Sequence, residues 1–351
     1  MRRALQLAAL ADGQTSPNPL VGAVVLDADG ALIGEGFHAR AGEPHAEVAA
    51  LAQAGDAASG GTVVVTLEPC CHQGRTPPCS EALLAAGIKR VVVAFQDPDP
   101  RVAGNGIRRL REAGLEVITG VLEQEARHQN RAFVHRVIHG RPWGILKWAM
   151  SLDGRTALPN GASQWISGPE SRRWVHQLRG CCDAVITGGG TVRADDPLLT
   201  SRGQRDPEPM RVVITRALDL PADAMLWDTS LAPTLIAHGS SPDAELLKLL
   251  PQGVERLSLP ECEPKNLLAH LAQRCCNRVL WECGPELASA AIRQGCVQEL
   301  AVVTAPKLMG GDPARTPLGD LGLTSMDQLV ELSKFETLPL GDDNLVRMYL
   351  N

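Results

Sequence analysis

His45-Ala-Glu47 opens one predicted helix, Thr66-Leu-Glu-Pro-Cys70 ends a predicted strand, and Cys79 begins the next predicted helix. Imidazole nitrogen and thiolate sulfur are donors that zinc commonly takes from proteins, and a catalytic site keeps one position free for water. This set of one histidine and two cysteines therefore predicts a zinc site between a strand end and two helix starts. Glu47 stands two residues after the histidine, where its carboxylate can take a proton from water and pass it to a leaving group.

The same pattern, His-x-Glu followed by Pro-Cys, is typical of zinc deaminases. The usual second part of that pattern is Cys-x-x-Cys, whereas here the eight residues Cys71–Pro78 separate the two cysteines. Cys71 and His72 are therefore alternative ligands. Cys79 is favoured over both because a helix N-terminus stabilises a thiolate. The insertion is expected to form a loop that meets substrate, with Arg75 available for a phosphate.

Helix and strand periodicities alternate along the whole chain. In the first half we predict helices over 1–12, 46–54, 80–87, 104–113 and 122–138, and strands over 21–26, 31–37, 62–67, 90–95 and 115–121, with a hairpin turn at 27–30. In the second half we predict strands over 144–149, 183–187, 211–215, 233–237, 278–282 and 298–304, and helices over 169–178 and 285–294. This alternation indicates an α/β protein with mostly parallel sheets that are covered on both faces.

A break in the pattern divides the chain in two. His139-Gly-Arg-Pro142 interrupts the alternation, and Pro142 disfavours helix at Arg141. The length of 351 residues also favours two domains. We therefore expect one domain over 1–143 and a second over 144–351.

Composition and charge argue against several classes of partner. The formal net charge is −6 and no cluster of Lys and Arg is large enough for a long polyanion, so we expect no nucleic-acid partner. No apolar run reaches the roughly 18–20 residues that span a bilayer, and no signal peptide precedes the first predicted helix, so we expect a cytoplasmic protein with no membrane partner. The 10 cysteines are then thiols or metal ligands, and the pairs at 181–182 and 275–276 are expected to pack in the core. A homo-oligomer is left open.

Further motifs resemble one known family. They are Pro17-Asn-Pro-Leu-Val-Gly22, Gly42-Glu-Pro-His-Ala-Glu47, Thr66-Leu-Glu-Pro-Cys70, Gly74-Arg-Thr-Pro-Pro-Cys79 and Gln96-Asp-Pro-Asp-Pro100, then Lys147, Ser151-Leu-Asp-Gly-Arg155, Ser163-Gln-Trp-Ile166, Ala194-Asp-Asp-Pro197 and Glu282-Cys-Gly-Pro285. The first group is similar to the pyrimidine deaminase of riboflavin biosynthesis and the second to its partner reductase, in the order of the bifunctional bacterial proteins. The resemblance covers essentially the whole chain. It implies a cytidine-deaminase-like α/β/α domain followed by a dihydrofolate-reductase-like α/β domain.

The resemblance also implies the chemistry. The family's deaminase converts 2,5-diamino-6-ribosylamino-4(3H)-pyrimidinone 5′-phosphate to the aminouracil with the help of Zn²⁺. Its reductase then uses NADPH to reduce the ribosyl group to ribityl. The expected partner is thus a small phosphorylated pyrimidine, with zinc on His45, Cys70 and Cys79 and proton transfer on Glu47.

Matching positions imply contacts in the second domain. Those implied to bind NADPH are Ala149, Trp165, Thr191, Asp195, Gly284, Pro285, Glu286, Leu287, Ala288, Ser289 and Ala290. Those implied to bind substrate are Ser163, Arg179, Leu199, Arg202 and Glu282. Two local patterns agree with this independently. Val185-Ile-Thr-Gly-Gly-Gly-Thr191 predicts a strand running into a phosphate-binding glycine loop, and Pro285 is placed to start a helix whose N-terminus can receive a phosphate.

Two positions depart from the family's pattern. Asp99 stands where Asn is usual, and Arg216 stands where a small hydroxyl residue is usual, so neither family contact is carried over. Arg216 nevertheless follows strand 211–215, where a dinucleotide approaches a sheet, and its charge suits the 2′-phosphate of NADPH.

Three other functions compete with this interpretation. A nucleic-acid-editing deaminase would need a basic or aromatic strand-binding surface. A non-catalytic descendant should have lost a ligand or Glu47, and all four residues are present. For the second half alone, dihydrofolate reduction is the alternative within the same fold.

Overall fold

The computed structural model describes residues 1–71, 77–100, 102–239 and 251–350. The chain forms two compact units, Met1–Gly140 and Arg141–Asn351. Both units combine helices with a β-sheet, so the predicted α/β class is confirmed. The assignment of one activity to residues 1–143 and the other to 144–351 stays a prediction.

The first unit is built on a five-stranded sheet of order β2-β1-β3-β4-β5. Its elements are helices α1 (Arg2–Ala9), α2 (Ala46–Ala54), α3 (Cys79–Ala85), α4 (Asn105–Glu112), α5 (Glu123–Gln129) and α6 (Arg131–His139), and strands β1 (Gly22–Leu26), β2 (Leu32–Phe37), β3 (Thr62–Val65), β4 (Arg90–Val93) and β5 (Glu116–Thr119). The prediction of a mostly parallel sheet is wrong here, because β1 is antiparallel to both β2 and β3. The hairpin reverses the chain between β1 and β2, and α2 then returns it so that β3 pairs with the other edge of β1. Only β3, β4 and β5 run parallel.

Helix α2 lies close against β2 because two glycines remove side chains from the interface. A Cβ at Gly34 would come within 2.2 Å of the Ala50 carbonyl oxygen, and one at Gly36 within 2.5 Å of the Ala46 carbonyl oxygen. Both alanines are fully buried. This close approach fixes the N-terminal end of α2, where the predicted zinc site begins.

The predicted helix over 122–138 is wrong, because the chain forms two helices, α5 and α6, that meet at Asn130. Asn130 is buried, and its side chain pairs with both backbone groups of Leu20. The Leu20 N–H donates to Oδ1 at 2.8 Å, and Nδ2 donates to the Leu20 carbonyl at 2.9 Å. A buried amide needs such partners, and Leu20 supplies them at the residue where the two helices meet. Helical periodicity carries no sign of a contact with so distant a residue.

The second unit is built on a nine-stranded sheet of order β10-β9-β8-β7-β11-β6-β12-β14-β13. Its elements are β6 (Trp143–Ser151), α7 (Pro169–Gly180), β7 (Ala184–Gly188), α8 (Gly189–Asp195), β8 (Met210–Thr215), β9 (Thr234–Gly239), β10 (Glu255–Leu259), α9 (Pro264–Gln273), β11 (Arg278–Trp281), α10 (Pro285–Arg293), β12 (Glu299–Ala305), β13 (Leu332–Leu340) and β14 (Asp343–Leu350). The strands from β10 to β12 are parallel, and β14 and β13 are antiparallel additions. This sheet is mostly parallel, as predicted.

Several elements of the second unit were not predicted, namely β10, β13, β14, α8 and α9. β13 is an edge strand whose pairing with β14 shifts register between Ser333 and Glu336, and it contains Pro339. Proline and charged residues are tolerated on edge strands but weaken the alternation by which a strand is recognised. The glycine loop predicted after β7 is also wrong, because the strand leads directly into helix α8 at Gly189.

No helix in the described part of the chain has both the length and the apolar character needed to cross a membrane.

Candidate active sites

Three metal-binding side chains meet in the first unit. His45 Nδ1 lies 3.2 Å from Cys79 Sγ and 3.6 Å from Cys70 Sγ. The three ligand atoms all lie within 4.8 Å of one another. One imidazole and two thiols at this spacing match the donor set and size of a zinc site with a fourth position for water. The residues therefore fit the metal that the sequence predicts.

Two of the three residues stand at a helix start, since His45 is the residue before α2 and Cys79 is the first residue of α3. Cys70 lies in the loop after β3, which ends at Val65. The first turn of α3 holds Cys70 from one side, because the Cys79 N–H donates to Cys70 Sγ at 3.3 Å and the Ser80 N–H donates to the Cys70 carbonyl at 3.1 Å. The N–H groups of a first helical turn have no partner within the helix, and here two of them donate to Cys70 and orient its thiol group.

Of the two alternative ligands, the structure describes Cys71 but not His72. Among the described residues, the cluster consists of His45, Cys70 and Cys79, and Cys71 is not one of its members. Burial raises the pKa of the Cys71 thiol, which disfavours its thiolate. His72 and Arg75 lie outside the described residues.

The protons of the cluster are unevenly shared. The Cys79 thiol, which hydrogen-bonds to Cys70, is the main cause that lowers the pKa of Cys70 to about 4. The same hydrogen bond, followed by burial, raises the pKa of Cys79. Cys70 is therefore the more acidic thiol of the pair, and a bound cation would favour loss of the proton that Cys79 keeps.

Glu47 lies in the first turn of α2 and is 3% exposed. Burial raises the pKa of its carboxyl group to about 7, against smaller opposing effects that include a hydrogen bond with Cys79. A carboxyl group with a pKa near neutrality can both accept and release a proton, which is the property a general acid–base group needs. Its closeness to Cys79 puts it beside the metal ligands.

Asn18 and His38 were not predicted as parts of this site. The His38 ring centroid lies 5.3 Å from that of His45, edge to face, and His38 is buried. Asn18 Nδ2 lies 3.0 Å from His38 Nε2, and His38 Nδ1 lies 3.1 Å from the Pro44 carbonyl. Since an amide NH₂ can only donate and a carbonyl can only accept, His38 is neutral with its proton on Nδ1. Burial also lowers the pKa of His38.

A charged cluster lies in the second unit, where Arg179 and Lys147 converge on Glu282. Arg179 donates to both oxygens of Glu282, from Nε at 2.6 Å and from Nη2 at 3.1 Å, and Lys147 Nζ lies 3.3 Å from Oε2. Burial raises the pKa of Glu282, but the charges of Arg179 and Lys147 outweigh it and hold that pKa at about 2. Two cations around one carboxylate leave a net positive charge, which suits a phosphorylated ligand.

The remaining predicted substrate positions lie partly around this cluster. Arg179 Nη1 donates to the carbonyl of Thr200 at 3.0 Å, which ties the segment carrying Leu199 to the cluster. Burial is the main cause that lowers the pKa of His176, and the positive charges of Arg179 and Arg202 lower it further. Arg202 therefore lies close enough to His176 to act on the same imidazole as Arg179.

Ser163 is predicted as a substrate position, but its nearest described partner belongs to the predicted cofactor positions. Its Oγ lies 3.4 Å from Asp195 Oδ1.

The predicted cofactor positions meet at two helix starts. A Cβ at Gly188, just before α8, would lie 3.3 Å from Leu287 Cδ2 of α10, and one at Gly284 would lie 3.8 Å from Thr191 Oγ1 of α8. The starts of α8 and α10 are therefore neighbours, with Pro285 at the first position of α10, as predicted. Glycines and free N–H groups at such starts fit the phosphates of a dinucleotide.

The other cofactor positions are separate from these helix starts. Ala149 lies on β6, two positions after Lys147 and so on the same face. Trp165 has an exposed side chain, and the Arg172 guanidinium stacks 4.7 Å from its ring centroid.

Comparison with known proteins covers both units. The cytidine and deoxycytidylate deaminase zinc-binding region matches residues 1–95, and the RibD C-terminal domain matches residues 142–346. The riboflavin biosynthesis protein RibD of Synechocystis is 49% identical over 100% of this chain and 95% of its own length. RibD of Escherichia coli is 42% identical over 96% of this chain and 94% of its own length.

Solved structures agree along the whole chain. RibD of Acinetobacter baumannii superposes with a TM-score of 0.90 at 40% identity, covering 100% of this chain and 97% of that structure. A diaminohydroxyphosphoribosylaminopyrimidine deaminase/5-amino-6-(5-phosphoribosylamino)uracil reductase of Thermotoga maritima superposes with a TM-score of 0.88 at 35% identity, with the same coverage. The chain belongs to the RibD family of bifunctional riboflavin-biosynthesis deaminase–reductases.

Proposed function

We propose that this chain removes an amino group from 2,5-diamino-6-ribosylamino-4(3H)-pyrimidinone 5′-phosphate and then reduces the ribosyl group of the product with NADPH. The observation that carries the proposal is the His45–Cys70–Cys79 cluster with a buried carboxyl group beside it. Family membership supports the second activity in the same chain.

In the deaminase unit, His45, Cys70 and Cys79 would hold zinc, which supplies the Lewis acidity that makes water a nucleophile at neutral pH. Glu47 accepts the proton that this water loses. The water oxygen bonds to the ring carbon, Glu47 gives the proton to the amino group, and the carbon–nitrogen bond breaks to release ammonia. The ring carbon keeps a hydroxyl group, and transfer of its proton to the adjacent ring nitrogen gives the carbonyl product. Burial suits Glu47 to both transfers, because it holds the pKa of the carboxyl group at about 7.

In the reductase unit, Arg179 and Lys147 attract the phosphorylated substrate, and Glu282 holds both cations in place. Glu282 accepts two hydrogen bonds from Arg179, so the guanidinium is oriented before substrate arrives. NADPH would supply a hydride, with its phosphates at the starts of α8 and α10.

The test is to incubate the purified protein with the diaminopyrimidinone substrate, with and without NADPH, and to follow the products by mass. Without NADPH we expect only the deaminated product. With NADPH we expect the deaminated and reduced product. No change of the pyrimidine, or reduction of dihydrofolate but not of the deaminated pyrimidine when each is supplied separately with NADPH, would contradict the proposal.

We expect the two activities to be separable. The chain divides into two compact units, and each contains its own candidate site. The Glu47→Gln protein should therefore reduce the deaminated intermediate, supplied from outside, at the wild-type rate. The measurement is NADPH oxidation with that intermediate. A reductase that is equally inactive in the variant would show that the two sites are coupled.

We also expect NADPH to be preferred over NADH. Arg216 follows β8, its side chain is 81% exposed, and its guanidinium lies 3.4 Å from Glu263 Oε1. Its exposed charge leaves it able to pair with a 2′-phosphate. Loss of a charge-assisted contact typically costs about 1.5–3 kcal/mol, so Arg216→Ala should lower the NADPH-to-NADH ratio of kcat/KM about tenfold or more.

The matched control is Glu263→Gln, which releases Arg216 from its pair and should leave the ratio as high as in the wild type or higher. An unchanged ratio in Arg216→Ala would exclude Arg216 from recognition of the cofactor. A wild-type preference for NADH would contradict the proposed preference itself.

A further inference from the structure

Glu68 is a buried carboxylate of the first unit that neither the zinc cluster nor the proton transfer uses. It is 4% exposed and lies two residues before Cys70. A buried charge is costly unless polar groups surround it. The hydrogen-bond partners of Glu68 therefore indicate the role of its carboxylate.

Four backbone N–H groups donate to the Glu68 carboxylate. Oε2 accepts from Asp97 at 3.1 Å and from Gly104 at 2.9 Å. Oε1 accepts from Gly106 at 2.9 Å and from Ile107 at 3.1 Å. One oxygen thus joins Asp97 to Gly104, and the other caps the first turn of α4.

The backbone next to Glu68 is held by a second, independent contact. A Cβ at Gly106 would lie 1.9 Å from the Pro69 carbonyl oxygen, so only glycine allows α4 to approach the chain at this point. The first turn of α4 therefore rests on the residues that lead into Cys70. The α3 side of Cys70 is already held by Cys79 and Ser80.

The topology brings residues 97–100 and 102–104 to the edge of the sheet where the zinc cluster lies. Strands β3 and β4 are parallel neighbours, with Val65 opposite Val93, so their carboxyl ends lie side by side. The chain after β3 carries Cys70, and the chain after β4 continues into residues 97–100. Ligands of parallel sheets bind outside the carboxyl ends of the strands.

We propose that Glu68 is a positioning residue of the deaminase site, whose carboxylate holds residues 97–100 and 102–104 and the start of α4 against the chain that leads into Cys70. It acts on substrate binding through these residues and takes no part in the proton transfer. The proposal rests on the deaminase activity proposed above.

Glu68→Gln tests this role with little change of shape. Glutamine keeps one oxygen acceptor but replaces the other oxygen with an NH₂ group, which faces two backbone N–H donors. The two hydrogen bonds to that position are lost, and the facing donors repel each other. Cys70 keeps its contacts with α3, and we expect the zinc content to stay at the wild-type value. We expect KM for the pyrimidine to rise about tenfold or more while kcat changes by less than about threefold.

Hydrogen exchange supplies a readout that needs no activity. The amides of Asp97, Gly104, Gly106 and Ile107 should exchange faster in Glu68→Gln, while those of the second unit stay unchanged. A zinc content equal to that of the wild type would show that the first unit of the variant is folded, and NADPH-dependent reduction at the wild-type rate would show the same for the second unit.

The matched control is Glu81→Gln. Glu81 also links a helix to α4, through a 2.9 Å contact with Arg109, but both side chains are about half exposed. An exposed ion pair contributes little, so its loss should change neither KM nor amide exchange.

The outcomes separate the two proposals. A KM for Glu68→Gln within about twofold of the wild type, or a fall in kcat with loss of zinc at unchanged KM, would overturn the positioning role. Failure of the proposed function would be seen instead in the wild-type protein, as absence of deamination, and unchanged amide exchange in the variant would then overturn the role of Glu68 by itself.

Discussion

Glu47→Gln should retain zinc and fold but lose deamination by about 10²- to 10⁴-fold, the usual contribution of a general acid–base group. Glutamine is nearly isosteric with glutamate, so the tight packing around this 3% exposed side chain is kept. An amide cannot accept and release the proton that a carboxyl group with a pKa of about 7 can carry. The measurement is kcat for ammonia release together with the zinc content of the same sample.

The control for this variant is Glu43→Gln. Glu43 lies four residues earlier in the chain and is exposed. Glu43 carries the same charge as Glu47 and lies close to it in the sequence, but its side chain is exposed to solvent. We therefore expect Glu43→Gln to have wild-type deaminase activity. Deamination by Glu47→Gln within a few-fold of the wild type would exclude Glu47 as the proton carrier.

The zinc cluster could be predicted from sequence because each of its members lies at an element boundary that the sequence itself marks. His45 precedes a helix rich in alanine. Cys70 follows the three valines 63–65 and the turn sequence Thr66-Leu-Glu-Pro69. Helix starts and strand ends of neighbouring elements converge at one edge of a sheet, so the spacing is enough to bring the ligands together.

The supporting contacts could not be predicted in the same way. Glu68 looks like part of the same motif, and nothing in its neighbourhood along the chain shows that its four donors lie 29 to 39 residues away. Asn130 pairs with Leu20 across 110 residues, and this contact divides a helix that has a continuous apolar period. Pairings over such distances depend on the completed fold.

The second unit shows the same limit. Arg179 and Glu282 were expected near substrate only from the family resemblance, and their ion pair joins residues 103 positions apart. The edge strand β13 could not be predicted from its apolar pattern, because an edge strand needs only one apolar face and tolerates charged residues. In contrast, the central strands β7, β8 and β11 are buried on both faces and were recognised as short apolar runs.

Cys79→Ser should remove most of the zinc and with it all measurable deamination. Serine keeps the shape of the side chain, but its hydroxyl group stays protonated at neutral pH and is a poor zinc donor compared with a thiolate. Loss of residues that only support a ligand already costs about 10- to 100-fold in metal affinity, so loss of a direct ligand should cost more. The measurement is metal content after dialysis against a weak chelator, with the deaminase rate of the same sample.

The matched control is Cys71→Ser, which changes a neighbouring thiol that is not a member of the cluster. It should keep both zinc and deamination, because His45, Cys70 and Cys79 provide a complete set of three ligands. Reduction of the externally supplied intermediate should continue in both variants, since the candidate reductase site that we propose lies in the other compact unit. Zinc retained in Cys79→Ser but lost in Cys71→Ser would contradict the assignment and identify Cys71 as the third ligand.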